Sequence, residues 1–233
     1  MKKLSTKIAI ALAVGMIVVL IGNSIMMYTS SKQAVEQAIR NFSVDLAENI
    51  AKKMDSEGYA QFLQNPTETE QYWTLRQQLD GFRDSAGALY VYTMMVEDNT
   101  EYMLIDGQPP NSEDASPIME PATGDVEEVL PILRGESSSS EIIQDPEYGD
   151  YLSAFAPIIH NEEVIGILGV DIDAANVGAI TKRVIGNELP MTLAINLVLI
   201  LAIIVSLTLF IIRKLKPLEQ ISEAANEMAK GNL

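Results

Sequence analysis

The 233-residue sequence contains no cysteine, one histidine and one tryptophan. The absence of cysteine excludes disulfide bonds and thiolate chemistry, although it does not fix the cellular compartment. The single histidine, His160, lies beside an apparent turn, and no nucleophile–base pair or phosphate-binding glycine loop is visible in the sequence. Asp145, Glu147 and Asp150 are not spaced like a calcium-binding EF-hand loop and are typical of a solvated loop. We therefore predict a protein that is not an enzyme and needs no cofactor and no metal.

Basic residues are also scarce. The chain has 16 lysines and arginines against 32 aspartates and glutamates, a net charge of −16. Residues 32–188 alone hold 9 basic and 29 acidic residues, a net charge of −20. Because no basic cluster occurs in this segment, we predict no nucleic-acid partner.

Charge is missing altogether from two apolar runs, residues 8–31 and residues 189–212. A bilayer core of roughly 30 Å needs about 20 helical residues, so either run is long enough to span a membrane. The first run also has features of a cleaved signal peptide, since it follows a short basic segment. It is longer than a usual signal-peptide core and lacks a clear Ala-x-Ala cleavage site, so we predict an uncleaved anchor.

The basic residues that flank these two runs set the predicted orientation. Lysines precede the first run and basic residues follow the second, so both termini are predicted to be cytoplasmic. The prediction is a two-pass protein of the cell membrane, with residues 32–184 extracellular or periplasmic. The residues that carry it are Lys2, Lys3, Lys7, Arg213, Lys214 and Lys216.

The outer segment begins with helical periodicity and ends with strand periodicity. A helix is predicted to continue from the first run to Met54, with an interruption at Gly58 and a second helix over Glu68–Ser85. Strands in runs between helices favour an α+β domain with an antiparallel sheet. Turns are predicted at Asp98-Asn99 and Asn161-Glu162, an irregular loop over residues 107–122 and a short helix over residues 124–133. The predicted strands are Ala88–Val96, Tyr102–Ile105, Ser140–Ile143, Tyr151–Ile159 and Val164–Ile172.

Two of these strand regions carry a family resemblance. Asp145–Ile158 and Val164–Asp173 resemble the central strand pair of Cache sensor domains, and Leu89–Thr93 and Leu104–Gly107 fit the same pattern. Cache domains are extracellular PAS-like sheets that bind small molecules such as amino acids and organic acids. The resemblance covers most of residues 32–180 and implies a single PAS-like Cache domain with a long N-terminal helix. It also implies that Asp171 meets a ligand amine.

The strand pattern independently suggests a pocket. Tyr90 and Tyr92 share a face of their strand, and Tyr151 and Asp171 lie on the matching faces of two later strands. If these faces converge, they form a mostly apolar site with a few polar anchors, as small-molecule pockets require. Arg76, with Arg83 as a second candidate, is placed on the preceding helix to meet a ligand carboxylate. The candidate ligand-binding residues are Asp171, Tyr92, Tyr151, Tyr90 and Arg76.

Simpler roles remain open for each of these residues. The tyrosines fit an ordinary amphipathic strand equally well, and Asp171 fits the N-cap of a helix that starts at Ala174. Either arginine fits a surface ion pair. Gly186 and Pro190 interrupt the path to the second span, either as a hinge or as a break where the helix enters the membrane.

The C-terminal segment, residues 213–233, carries a coiled-coil seam formed by Leu218, Ile221, Ala225 and Met228. It resembles the first helix of a HAMP domain, whose helices form a parallel bundle across a homodimer. The chain is therefore interpreted as the sensor module of a transmembrane chemoreceptor, similar to the N-terminal part of a methyl-accepting chemotaxis protein. Its expected partners are a small ligand, the membrane, a second copy and a cytoplasmic effector. The alternatives are the sensor portion of a histidine kinase or diguanylate cyclase, and a two-span structural protein without a ligand.

Overall fold

A computed structural model of the chain describes residues 2–110, 112, 115–122, 124, 126–145, 149–210, 213, 221, 224–225 and 228–229. The chain divides into two compact units, Met1–Gln33 with Lys182–Leu233, and Ala34–Thr181. Most of the predicted HAMP helix lies outside the described residues. The described positions 221, 224, 225, 228 and 229 are helical.

The first unit contains parts of the two longest helices, α1 (Lys2–Lys53) and α5 (Ala174–Phe210). Among the described residues, Val14–Lys53 is the one helix long and apolar enough to cross a membrane, and Pro190–Ser206 forms a shorter apolar helix. Helix α5 continues through Gly186 and Pro190 without ending there. The predicted interruption is therefore wrong as a helix boundary, because proline removes one hydrogen bond while the turns on either side still form theirs.

Two shorter helices, α2 (Ser56–Leu63) and α3 (Glu70–Ala86), belong to the second unit. Helix α3 is close to its prediction; Thr69 caps its first turn and Gly87, in the left-handed conformation, ends it. The predicted interruption at Gly58 is wrong, because Gly58 lies inside α2. The break falls just after Lys53, where the Asp55 side chain accepts a 2.9 Å hydrogen bond from the Gly58 N–H and starts a new helix.

The second unit is built on six antiparallel strands in the order β3-β2-β1-β6-β5-β4. The predicted α+β class and antiparallel sheet are confirmed. Both predicted two-residue turns are present, with positive φ at Asp98, Asn99, Asn161 and Glu162, as type I′ hairpins require. The strands are β1 (Tyr90–Glu97), β2 (Thr100–Asp106), β3 (Glu120–Pro121), β4 (Ser138–Asp145), β5 (Gly149–His160) and β6 (Glu163–Asp173).

The connection between β2 and β4 contains more short elements than predicted. The expected irregular loop over residues 107–122 includes the two-residue strand β3. The expected helix over residues 124–133 is two short pieces, α4 (Val126–Val129) and a 3-10 helix (Ile132–Arg134). Pro131 separates them, because its ring removes the N–H that a continuous helix would need.

Both faces of the sheet are covered, and each face has its own cluster of buried residues. One face packs against α1, α2 and α3 through residues such as Ile50, Tyr59 and Leu75. The other face forms a smaller cluster with the segment that contains α4 and the 3-10 helix. Alternate residues of β1, β5 and β6 therefore face two different environments. The members of the smaller cluster are Tyr92, Met94, Val129, Ile132, Phe155 and Ile167.

Candidate ligand-binding site

The three central strands bring the predicted site residues together on the face opposite α1, α2 and α3. Tyr90 of β1 is the partner of Asp171 of β6, which in turn is the partner of Ser153 of β5. One row along, Tyr92 is the partner of Gly169. Directly paired residues of antiparallel strands point to the same face, so these side chains line one surface.

A buried hydrogen bond lies at the centre of this surface. The Tyr92 hydroxyl donates to Asp171 Oδ1 over 3.1 Å, and both side chains are less than a tenth exposed. Gly169 makes the contact possible, since a Cβ added there would lie 2.4 Å from Tyr92 Cε2 and 2.5 Å from Cζ. The aromatic ring therefore lies across the bare backbone of the central strand and reaches the carboxylate beyond it.

Burial dominates the electrostatics of Asp171. Loss of water around the carboxyl raises the pKa of Asp171 to about 7, and the nearby negative charge of Asp106 acts in the same direction. Hydrogen bonds from Ser153 and Tyr92 favour the charged form and partly oppose the shift. Burial also raises the pKa of Tyr92, which stays protonated and remains a donor. Near neutral pH, Asp171 is thus easily converted between its neutral and charged forms.

The other two predicted tyrosines border this pair. Tyr90 is half-buried and packs against the smaller cluster of the sheet. Tyr151 is half-buried and close enough to Tyr92 to raise the pKa of its hydroxyl. Three tyrosines of β1 and β5 therefore lie on the same face of the sheet as the carboxylate. Such a surface offers ring faces to an alkyl or ammonium group and a hydroxyl to a polar one.

The N-cap role considered for Asp171 belongs instead to Asp173. Asp173 Oδ1 accepts a 2.7 Å hydrogen bond from the N–H of Ala175, in the first turn of α5. Asp171 lies two residues earlier on the same face of β6, and its side chain bonds to Tyr92. The capping interpretation of Asp171 is wrong because the strand continues to Asp173 before the helix begins.

Arg76 contacts other groups of the same unit. Its guanidinium donates to the carbonyl oxygens of Gln108 and Pro109 over 3.0 and 3.1 Å, and to the Tyr72 hydroxyl over 3.2 Å. It also lies 5.3 Å from the centre of the Trp73 ring. These contacts hold the loop after β2 and do not join Arg76 to the Tyr92–Asp171 pair.

Arg83 forms the ion pair considered for it, with a 2.7 Å contact from its Nη2 to Asp80 Oδ1. Its Nε also donates to the carbonyl oxygen of Gly107 over 3.4 Å. Both arginines thus contact the start of the same loop.

Three further residues of the site, Ser153, Gly169 and Asp106, were not among the candidate ligand-binding residues. Gly169 could have been noticed, since a glycine inside a strand often marks close approach of another group. Asp106 is buried, and its two carboxylate oxygens accept from the N–H groups of Gln108 and Ser116 over 2.9 Å each. It fixes the loop that begins beside the site, and burial raises its pKa.

A separate cavity of about 190 Å³ lies elsewhere in the same unit, lined by residues of α1, β4 and β5. It contains none of the predicted ligand residues. Its charged lining holds both signs, with Arg40 beside two carboxylates, which is typical of a surface crevice with ion pairing. The lining residues are Glu36, Arg40, Glu141, Ile142 and Leu152.

No protein-family model and no curated protein sequence matches the chain. Solved structures do. The sensory domain of the Campylobacter jejuni chemoreceptor Tlp3 with isoleucine bound is 14% identical, with a TM-score of 0.47 over 73% of this chain and 66% of that chain. The sensor domain of the V. cholerae histidine kinase DctB is 13% identical, with a TM-score of 0.47 over 67% of this chain and 55% of that chain.

A third similar structure is the ligand-binding domain of the Pseudomonas aeruginosa amino acid chemoreceptor PctC with GABA. It is 18% identical, with a TM-score of 0.39 over 70% of this chain and 66% of that chain. The chain thus spans slightly less than two thirds of the length of the Tlp3 and PctC domains. These three solved structures are sensory or ligand-binding domains of two chemoreceptors and of a histidine kinase.

Proposed function

We propose that this chain is the sensor module of a two-span membrane receptor that binds a small amine-bearing molecule outside the cell. The amine is bound by Asp171, and Tyr90, Tyr92 and Tyr151 surround the rest of the ligand. The occupied site then acts on α5 and, through it, on a cytoplasmic effector. Amino acids and other small organic acids that carry an amine form the expected ligand class.

The observation that carries the proposal is a buried carboxylate whose described partners are hydroxyl groups. Asp171 receives hydrogen bonds from Tyr92 and Ser153. A buried carboxylate without a cation is costly in its charged form, and the raised pKa of Asp171 expresses that cost. A ligand ammonium would supply the missing charge and restore the usual ionised state. Strongly perturbed groups of this kind concentrate at functional sites.

The sign of the surrounding charge favours a cationic group over an anionic one. Asp106 adds a second buried carboxylate near Asp171. The outer segment as a whole carries a net charge of −20. Such a field attracts cations and repels free anions before they reach the site. A ligand carboxylate, where present, would therefore lie toward the exposed edge of the tyrosine surface.

Transmission follows from the short distance along the chain between the site and the output helix. Asp171 is three residues before the first residue of α5, and Asp173 caps that helix. A ligand that moves the end of β6 would therefore act on the start of α5. Packed elements convert small changes into helix shifts of about 1–2 Å, which is enough to bias a two-state receptor.

A homodimer through the HAMP-like seam is part of the proposal. Three of the four seam positions, Ile221, Ala225 and Met228, are described, and all three are helical and exposed in the single chain. Exposed apolar residues at this spacing are typical of a helix that packs against another helix. Single cysteines at Ile221 or Met228 should form crosslinked dimers in membranes, and failure at both positions with normal expression would contradict the dimer.

Ligand binding can be tested on the chain in lipid nanodiscs by thermal unfolding with a panel of amines and amino acids. Isoleucine and GABA, which occupy two of the similar structures, are the first compounds to test. A ligand should stabilise the protein by about 2.7 kcal/mol at one hundred times its dissociation constant. Asp171→Asn should remove that gain and leave the unliganded protein folded.

Asp173→Asn is the matched control, since it makes the same charge change two residues away and asparagine still caps a helix. It should keep the ligand-induced gain in stability. A full gain in the Asp171→Asn variant would contradict the proposed site. Reporter fusions at Met1 and Leu233 test the topology separately, and an external signal at either end would contradict it.

A further inference from the structure

A polar contact joins the two apolar helices of the first unit. Asn23 of α1 donates from Nδ2 to Oδ1 of Asn196 of α5 over 3.3 Å. These are the only asparagines in the apolar runs 8–31 and 189–212, one in each run. The half-buried positions around them recur every three or four residues, so the two helices pack along one face each. Those positions are Met16, Leu20, Ser24, Met27, Thr192, Asn196 and Ile200.

The sequence alone also predicts that the two asparagines lie at the same depth in the membrane. Asn23 lies eight residues before the outer end of the first run, and Asn196 lies seven residues after the outer start of the second. At 1.5 Å per residue, both lie roughly 11 Å inside the outer boundary. Amide groups at this depth cannot bond to bulk water, so a partner in the neighbouring helix stabilises them.

Two threonine hydroxyl groups of these helices bond within their own helix. Thr29 donates to the carbonyl oxygens of Ile25 and Met26, within its own helix. Thr208 likewise donates to the carbonyl oxygen of Ile204. These hydroxyl groups donate hydrogen bonds within their own helix and do not join it to the other helix. The amide pair instead joins one helix to the other.

We propose that Asn23 and Asn196 form a register lock between the two membrane spans, and that the resting state of the receptor is the state with this contact made. The proposal rests on the two-span topology proposed above. A shift of one span by 1–2 Å along the membrane normal, the size expected for transmission, would lengthen this 3.3 Å contact to about 3.4–3.9 Å and weaken or break the hydrogen bond. The lock therefore opposes the displacement that the ligand must produce.

The test measures disulfide formation in membranes, using pairs of cysteines in the natural cysteine-free chain. The pair Met27→Cys with Thr192→Cys lies one turn outward from the asparagines, in register with them. The pair Ser24→Cys with Thr192→Cys is displaced by about one helical turn. In the parent chain the in-register pair should crosslink faster, and the ratio of the two rates reports the register.

Asn23→Leu and Asn196→Leu should each lower this ratio roughly threefold to twentyfold, the range measured for interhelical hydrogen bonds in membranes. Because the two side chains contact each other, the double variant should show the same loss as either single variant. Asn196→Gln keeps an amide and should retain most of the ratio. Thr29→Val, which removes a bond within one helix, should leave the ratio unchanged. Leucine makes each run more apolar, so insertion is retained.

The outcomes separate the lock from the topology. Equal ratios in the parent and in both leucine variants, with crosslinks still formed, would overturn the lock and leave the two spans in place. Additive losses in the double variant would overturn direct contact between the asparagines. No crosslink by either pair in the parent chain would overturn the lock together with the paired spans.

Discussion

Gly169→Ala should loosen the candidate site by displacing Tyr92 from Asp171. The added Cβ would lie 2.4 and 2.5 Å from two carbons of the Tyr92 ring, whereas carbon atoms in contact are about 3.5–4.0 Å apart. The ring must therefore withdraw by roughly 1 Å. The Tyr92–Asp171 hydrogen bond, already 3.1 Å long, would be lost.

Three effects set the size of the loss in stability. Overpacking of a buried position costs about 1–3 kcal/mol. Loss of a hydrogen bond to buried Asp171 adds about 0.5–1.5 kcal/mol. Replacement of glycine by alanine stabilises the folded protein by about 0.4–1 kcal/mol, because alanine restricts the unfolded chain. The free energy of unfolding should therefore fall by about 0.5–4 kcal/mol, and affinity for an amine ligand should fall with it.

Urea unfolding of residues 34–181, followed by fluorescence of the single tryptophan, Trp73, measures this loss. Gly81→Ala is the matched control, because a Cβ at Gly81 meets no heavy atom within 4 Å and alanine favours a helix by up to about 1 kcal/mol. In a Tyr92→Ala background the clash is absent, so Gly169→Ala should cost little. Equal stability of Gly169→Ala and the parent chain, with unchanged ligand affinity, would refute this account of the site.

Three further results are expected. Because the pKa of Asp171 is raised from 3.8 to about 7 on folding, its protonation stabilises the fold at low pH, and that stability is lost as pH rises toward 7. Relative to Asp171→Asn, the free energy of unfolding of the parent, measured in urea, should fall by about 3 kcal/mol between pH 5 and 8. Parallel pH curves for the two proteins would contradict this. An amine ligand binds the charged form of the Asp171 carboxylate, so the affinity of the ligand should rise as pH rises from 6 to 8, and calorimetry at pH 6 should show proton release on binding. An affinity that does not depend on pH would show that Asp171 does not contact the amine. Arg76→Lys should destabilise residues 34–181 by about 1–3 kcal/mol, since lysine cannot reproduce the hydrogen bonds to two carbonyl groups, and it should leave ligand affinity nearly unchanged. Weaker ligand binding without loss of stability would indicate that Arg76 contacts the ligand.

The parts of the fold that follow from local physics were predictable from the sequence. Asp98, Asn99 and Asn161 belong to the residue types that tolerate positive φ, and both turns lie between alternating strands, so both hairpins were found. The apolar runs showed their length without any structural information. Helix α2 was missed because the end of α1 depends on the Asp55 cap, while Gly58 looked like the natural break.

The site was predictable in composition and only partly in geometry. Residue alternation placed Tyr90 and Tyr92 on one face, but it could not say which strand lies beside β1. Arg76 was assigned to a ligand because a basic residue near a pocket suggests a carboxylate. Its contacts with the loop after β2 depend on where that loop returns, and sequence spacing carries no such information.

By itself, the sequence determined the candidate spans, the acidic character of residues 32–188, the α+β class and the residue types of the candidate site. Only the tertiary structure decided that β6 lies between β1 and β5, which sets Asp171 beside Tyr92 and Gly169 beneath its ring. It likewise decided that Asn23 meets Asn196. The reason is physical: hydrophobic period and turn preference act between neighbours in the chain, whereas strand order and helix register are set by packing between residues far apart in it.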